Sequence, residues 1–228
     1  MTPSREQQRE HTRAAILKAA IKELSIHGFD GASTSQIMKS AGINKALLYY
    51  YFKDKAGLYS AALEEATRRR MEAMMGALDA KCSAGERLLR TVLLHFDRFL
   101  REPESQRLVI FESIRSWSRR DKSAVVVSKE YSEWLERTQA TIREGIKSGE
   151  LRDVNPFQVM IALVGMNLHY FQSSQLISFT SGSDMLSREA VASQRKAMLE
   201  FFASSLFSSP VVGRRKAKNA LNNIPFPI

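Results

Sequence analysis

Cysteine is nearly absent from this 228-residue chain. Cys82 stands alone, so no internal disulfide can form and nothing points to an oxidising compartment. Long apolar runs are missing too. The longest, "FQVMIALVGMNLHYF", is too short and too interrupted to read as a membrane span. The N-terminal "MTPSREQQREHTR" is polar and holds no apolar signal core, so a soluble cytoplasmic protein is the expectation. There is no phosphate-binding glycine loop, no nucleophile elbow and no metal-ligand spacing, and His95 and His169 lie far apart. An enzyme is therefore not expected, and no cofactor or metal is implied. Acidic residues are in deficit: 34 Lys and Arg stand against 24 Asp and Glu, for a net charge of +10. Such an excess suits a polyanionic partner.

The charge is uneven. Residues 1–56 carry nine basic and five acidic side chains, and 210–228 carry four basic and none acidic. The long middle, 57–209, is close to balanced, with 21 against 19. A hydrophobic fraction of 44% is enough for a real core. The length suits one large domain, or a small domain joined to a larger one.

Strand signals are scarce and helical ones dominate. Ile16, Leu17, Ala20, Ile21 and Leu24 recur at helical spacing, with His27-Gly28 as the stop. Ser33 and Gln36 match a capping box, opening a short helix through Ile37, Met38 and Ala41 to Gly42. Asn44 caps the next helix, which runs to about Phe52 with Ile43 and Leu48 at staple spacing. Asp54 caps a longer one. Two short helices meeting at a glycine-containing turn form the helix-turn-helix pattern.

Downstream, Ser83 and Glu86 form a second box before "RLLRTVLLHFDRFL", and Pro103 marks a break before "SQRLVIFESIRSW". Helices follow over about 125–148, from Asn155-Pro156 to about 178, and over about 186–206. After Pro210 the chain is basic and poor in order signals, and a flexible tail is expected over 210–228.

The stretch 12–60 resembles the DNA-binding domain of TetR-family transcriptional regulators. The resemblance rests on an ordered set: a helix ending H-G-F, then A-S-T-S-Q-I, the turn A-G-I-N, L-Y-Y-Y-F-K-D-K and an apolar helix. It implies an all-α protein. A three-helix helix-turn-helix DNA-binding domain would occupy 1–56, and a larger helical ligand-binding and dimerisation domain 57–209. In a helix-turn-helix the second helix enters the major groove and its first residues meet base edges. Lys45 can donate to guanine or reach a phosphate, and Leu47, often polar in the family, can meet a thymine methyl. Ala46 belongs to the same face. The resemblance puts Tyr49 on a phosphate. Tyr50 and Tyr51 fall further round, towards groove or backbone, or pack as half-buried rings. Lys55 and Thr34, with Ser35 behind them, stand at helix starts where a phosphate can be held. Leu48 and Phe52, four apart, are the buried seam. Arg5, Arg9 and Arg13 form either an arm to the minor groove or a frayed terminus.

The resemblance also implies a homodimer through the last two helices, with Val159, Leu163, Met166 and Tyr170 as one stripe and Met198, Leu199, Phe202 and Leu206 as the other. A stripe alone can equally be plain core. A small-molecule pocket would draw its walls from His95, Phe96, Phe99, Phe111, Trp117, Tyr131, Trp134, His169 and Tyr170. The partners expected are a double-stranded palindromic operator, a small-molecule effector and a second copy of the chain, with no membrane. The function expected is a ligand-released repressor. A DNA-binding or nucleoid-type protein without an effector, and a helical enzyme with an unread site, are the rivals.

Overall fold

The computed structural model describes residues 4–119 and 129–227. Among them lie α1 (Arg5–Gly31), α2 (Thr34–Ala41), α3 (Lys45–Phe52), α4 (Lys55–Leu78), α5 (Ala84–Arg101), α6 (Pro103–Arg119), α7 (Lys129–Lys147), α8 (Pro156–Ser181), α9 (Arg188–Leu206) and α10 (Pro210–Asn223). The fold is all-α, as the periodicity predicts.

Most helix ends follow from local chemistry. Ser4 and Gln7 close a reciprocal capping box at the start of α1. Asn44 accepts the Leu47 amide at 2.9 Å and opens α3, and Asp54 accepts the Gly57 amide at 2.7 Å and opens α4. Asn155 and Pro156 open α8. Gly42, at φ +66°, supplies the left-handed turn between α2 and α3, where a Cβ is disfavoured.

Two ends differ from expectation. Gly28 (φ +64°) breaks the helical backbone, but the chain resumes and α1 continues to Gly31. At Ser33 the capping box is only half made. Its hydroxyl accepts the Gln36 amide, but its own amide donates to the Glu23 carboxylate of α1 at 3.0 Å. A long-range acceptor has replaced the local glutamine.

The chain forms two compact units. The first takes residues up to Arg70 together with α6, so α4 from residue 57 to Arg70 and α6 belong to it. The sequence-based boundary at 56/57 is thus displaced, for a simple reason. A three-helix core of Ile16, Leu17, Leu24, Ile37, Leu48 and Phe52 is small, and Leu58, Ala62, Leu63 and Ala66 of α4 with Leu108 of α6 complete it. Polar contacts hold α6 there. The Tyr59 hydroxyl donates to Glu112, and Arg115 donates to the same carboxylate at 2.8 and 3.1 Å while stacking over the Phe29 and Tyr59 rings. Burial, and then the bond to Glu112, push the Tyr59 hydroxyl's pKa well up.

The second unit holds the end of α4 from Met71 with α5 and α7–α10. Leu88, Leu89, Val92 and Phe96 of α5, Trp134 and Ile142 of α7, Leu163 and Tyr170 of α8, and Met198, Leu199 and Phe202 of α9 share one core. The expected flexible tail is instead a capped helix. Ser209 and Pro210 start α10, whose small residues Gly213, Ala217 and Ala220 are buried. A Cβ at Gly213 would lie 2.4 Å from the Ala203 carbonyl oxygen, so glycine is what lets α10 approach α9. The basic residues sit elsewhere on α10. Lys216 meets Glu150 at 2.8 Å, and Arg214, Arg215 and Lys218 are exposed. Burial alone would raise the Glu150 carboxyl, but the bonds from Lys216, Ser83 and the Gly85 amide hold it below the usual carboxylate range.

Candidate nucleic-acid interface

The face that α3 presents follows from its periodicity. Leu48 and Phe52 are buried against α1, and that turns Lys45, Ala46, Tyr49 and Tyr50 outward. Leu47 is half-buried at the edge of the same surface. The Lys45 ammonium lies 6.0 Å from the Tyr49 ring centroid, and Tyr49 is 38% exposed. Both side chains point away from the core. Ser35 is exposed at the start of α2 and Thr34 half-buried beside it.

The other two tyrosines are already engaged. Arg9 of α1 donates to the Tyr50 hydroxyl at 2.9 Å with its guanidinium over the Tyr50 ring, and the Tyr51 hydroxyl donates to the Arg9 carbonyl at 3.3 Å. Tyr51 also packs on the N-terminal core. These two rings therefore tie α1 to α3. Lys55 is engaged too: it donates to the Asp30 carbonyl at 3.3 Å and covers the Phe29 ring at 5.3 Å. Arg68 and Arg69, neighbours on α4, are both paired with Glu65 one turn earlier.

The expected pocket residues divide. In the second unit His95, Phe96, Phe99, Trp134 and Tyr170 are buried together, with Tyr131 against Trp134. The His95 and Trp134 rings lie 6.4 Å apart and nearly parallel. Phe171, which sequence reasoning missed, stacks on Phe99 at 4.7 Å. His169 is exposed and meets Ser173, and Phe111 is 42% exposed in the other unit, so neither joins this cluster. The Trp117 side chain lies outside the described residues.

The polar centre of this buried aromatic cluster is Asn167, also missed. The one visible signal was an amide inside the longest apolar stretch of the chain. Its Nδ2 meets the His95 Nδ1 at 2.8 Å and the Val92 carbonyl at 3.4 Å. The carbonyl can only accept, which fixes the amide nitrogen there. His95 Nδ1 then accepts from that amide. Asn167 Oδ1, Trp134 Nε1 and Thr138 Oγ1 are buried with no hydrogen-bond partner among the described residues. Cys82 is half-buried, and burial, then Glu86, raise its thiol's pKa; that makes it a poor nucleophile.

The expected dimer residues also need correction. Val159, Leu163, Met198, Phe202 and Leu206 are buried within one protomer, Tyr170 and Leu199 with them, and Met166 packs against that core. The stripes are the inner faces of α8 and α9, because one unit must fill its own core before offering a surface. The outer faces carry Phe157, Ile161, Leu176, Phe179 and Phe201, all at least half exposed. A shallow apolar hollow of about 330 Å³ opens there, lined by Val154, Gln158, Ala162, Phe201 and Ser205 among others.

No group of three or more His, Cys, Asp or Glu side chains converges to hold a metal ion among the described residues, and none of their helices is long and apolar enough to cross a membrane.

A capped α2, a left-handed glycine turn and an α3 with an exposed basic and aromatic face define a helix-turn-helix DNA-binding protein carrying a second helical unit. Residues 16–62 match the model of bacterial regulatory proteins of the tetR family, and 85–201, more than half of the chain, match that of the tetracyclin repressor-like C-terminal domain. The chain belongs to the TetR family of transcriptional regulators.

It is similar to the transcriptional repressor NicS of Pseudomonas putida, 35% identical over 115 residues that cover 50% of this chain and 53% of that one. It is also similar to the regulator AcrR of Shigella flexneri, 30% identical over 115 residues, 48% of this chain and 51% of that one. The chain thus spans about half the length of these curated relatives. A regulator from Saccharomonospora viridis, solved in complex with choline, shares the fold at a TM-score of 0.66 and 19% identity, over 88% of this chain and 100% of that one.

Proposed function

We propose that this chain is a homodimeric repressor that binds a palindromic operator and leaves it when a small molecule enters the second unit. The observation that carries the reading is the α3 face, where Lys45, Ala46 and Tyr49 are exposed and Leu48 and Phe52 hold the helix down. Thr34, Ser35 and Leu47 extend the contact, and Lys55 reaches a phosphate after exchanging its bond to Asp30. One eight-residue helix meets only a few base pairs, so two copies read half-sites about 34–36 Å apart.

The small molecule would open and enter the buried cluster of His95, Phe99, Trp134, Asn167 and Tyr170. An apolar wall with a few polar points suits such a ligand, and Asn167 Oδ1 and Trp134 Nε1, buried with no partner among the described residues, are such points. A protein of the same fold holds choline, and NicS is named a repressor. Release is a population shift. A hundredfold loss of operator affinity requires the ligand to favour the released state by about 2.8 kcal/mol.

The dimer forms through the outer faces of α8 and α9. Replacing Ile161 and Phe201 together by glutamate is expected to give a monomer by light scattering, and to weaken operator binding at equal chain concentration. A variant that keeps the dimer mass would place the interface elsewhere.

The function is tested by selecting bound fragments from a random DNA pool with the full chain, then measuring retention with and without cell extract. A two-fold symmetric motif, and weaker retention in extract fractions of low molecular mass, are expected. A pool that shows no enriched motif sinks the operator. Retention unchanged in every fraction sinks the effector.

A further inference from the structure

The contacts of Tyr50 and Tyr51 leave a basic row on α1 that the helix-turn-helix itself does not include. Arg5, Arg9 and Arg13 are spaced four apart and so share one face of α1. The Ser4 capping box fixes the helix from Arg5 onward, so these side chains stand on a rigid element and not on a loose arm. Arg9 is held against the Tyr50 ring and hydroxyl, and the Arg13 guanidinium lies 5.8 Å from the Phe52 ring centroid. The row therefore runs beside α3, continuous with the candidate DNA face.

None of the three forms an ion pair among the described residues, and Glu6 and Glu10 sit roughly 100° round the helix from Arg5 and Arg9. A guanidinium has five N–H donors. Arg9 gives one to Tyr50, and a ring stack takes none. The remaining donors are the planar fork that suits a phosphate.

We infer that Arg5, Arg9 and Arg13 form a second row of phosphate contacts on the operator backbone beside the groove that α3 enters, with Tyr50 as the residue that positions Arg9. The inference rests on the DNA-binding reading above. Phosphates are the target, not base edges, because a helix anchored to α3 cannot enter a minor groove as an extended arm can. Such contacts set register and affinity without reading sequence.

The test is the salt dependence of binding to one fragment selected from the random pool by the full chain. Each phosphate contact adds about 0.9 to the slope of log affinity against log salt. Arg5→Gln with Arg13→Gln removes two contacts per chain, so the dimer's slope is expected to fall by about 3–4. Arg9→Gln is expected to lower it by about 2. Restoring charge with Arg5→Lys and Arg13→Lys recovers most of the slope. Tyr50→Phe keeps the ring and loses the hydroxyl. It is expected to reproduce part of the Arg9→Gln loss and to add nothing to it in the double variant, because one residue acts through the other.

A slope unchanged in the Arg5→Gln, Arg13→Gln variant overturns the row. Losses from Tyr50→Phe and Arg9→Gln that multiply overturn the positioning role. Lys45→Ala distinguishes the arginine row from the α3 face. If it weakens binding while the arginine variants leave the slope intact, only this inference fails. If it too has no effect, the reading of the α3 face fails.

Discussion

Asp97→Ala is expected to cost about 3–5 kcal/mol of stability, because it strands a buried guanidinium. Asp97 of α5 is fully buried and Arg195 of α9 is 4% exposed. Arg195 donates to both carboxylate oxygens, at 2.8 and 2.9 Å, and to the Ile224 carbonyl at 2.8 Å, while its guanidinium lies over the Phe226 ring. One side chain thus joins α5, α9 and the segment that follows α10. Removing its anion leaves a buried guanidinium whose remaining acceptors among the described residues are the Ile224 and Pro225 carbonyls. For a chain of this size the melting temperature should drop by about 6–20 °C. Replacing both partners, Asp97→Leu with Arg195→Met, should recover most of that, since desolvating the pair costs about as much as the pair returns. Thermal and urea denaturation check both. A single variant within about 1 kcal/mol of the parent would show that the pair does not tie the helices together.

Lys45→Ala is expected to weaken operator binding by about a hundredfold or more. A base-edge or phosphate contact of this kind carries about 1–3 kcal/mol, and a dimer loses it twice. Lys45 is exposed at the first position of α3, so the fold should be untouched and the melting temperature within a few degrees of the parent. Tyr49→Phe, which removes one hydroxyl donor, should act in the same direction with a smaller loss. Lys55→Ala differs in kind. That ammonium also caps the Asp30 carbonyl, so some loss of stability should accompany the loss of affinity. Titration of the selected fragment at one fixed salt concentration, with melting curves alongside, distinguishes these outcomes. Affinity for Lys45→Ala within threefold of the parent would remove α3's first turn from the interface.

The elements that sequence reasoning located are those whose signals are local. Asn44, Asp54 and Asn155-Pro156 open helices where they stand, since each side chain satisfies amides two or three residues on. The buried seam of Leu48 and Phe52 is legible for the same reason: 3.6 residues per turn fixes which neighbours share a face. The α3 surface, the helix-turn-helix and the family follow from that much.

What escaped had partners far away in the chain. Ser33 takes Glu23 in place of Gln36, and Tyr50 and Tyr51 take Arg9. Asn167 of α8 finds His95 of α5. Helix α10 escaped because its buried face is Gly213, Ala217 and Ala220, small residues with little hydrophobic signal whose value appears only when another helix approaches closely. Periodicity located the apolar stripes of α8 and α9 but not which one faces inward, because that depends on the neighbours each helix is given. By itself the sequence determined most of the helices, the caps at Asn44, Asp54 and Asn155 and the exposed face of α3, through bonds that span one turn. The tertiary structure alone decided the anchoring of α1 to α3, the buried cluster around His95 and the outer surface of α8 and α9, because each arises from contacts between residues dozens of positions apart.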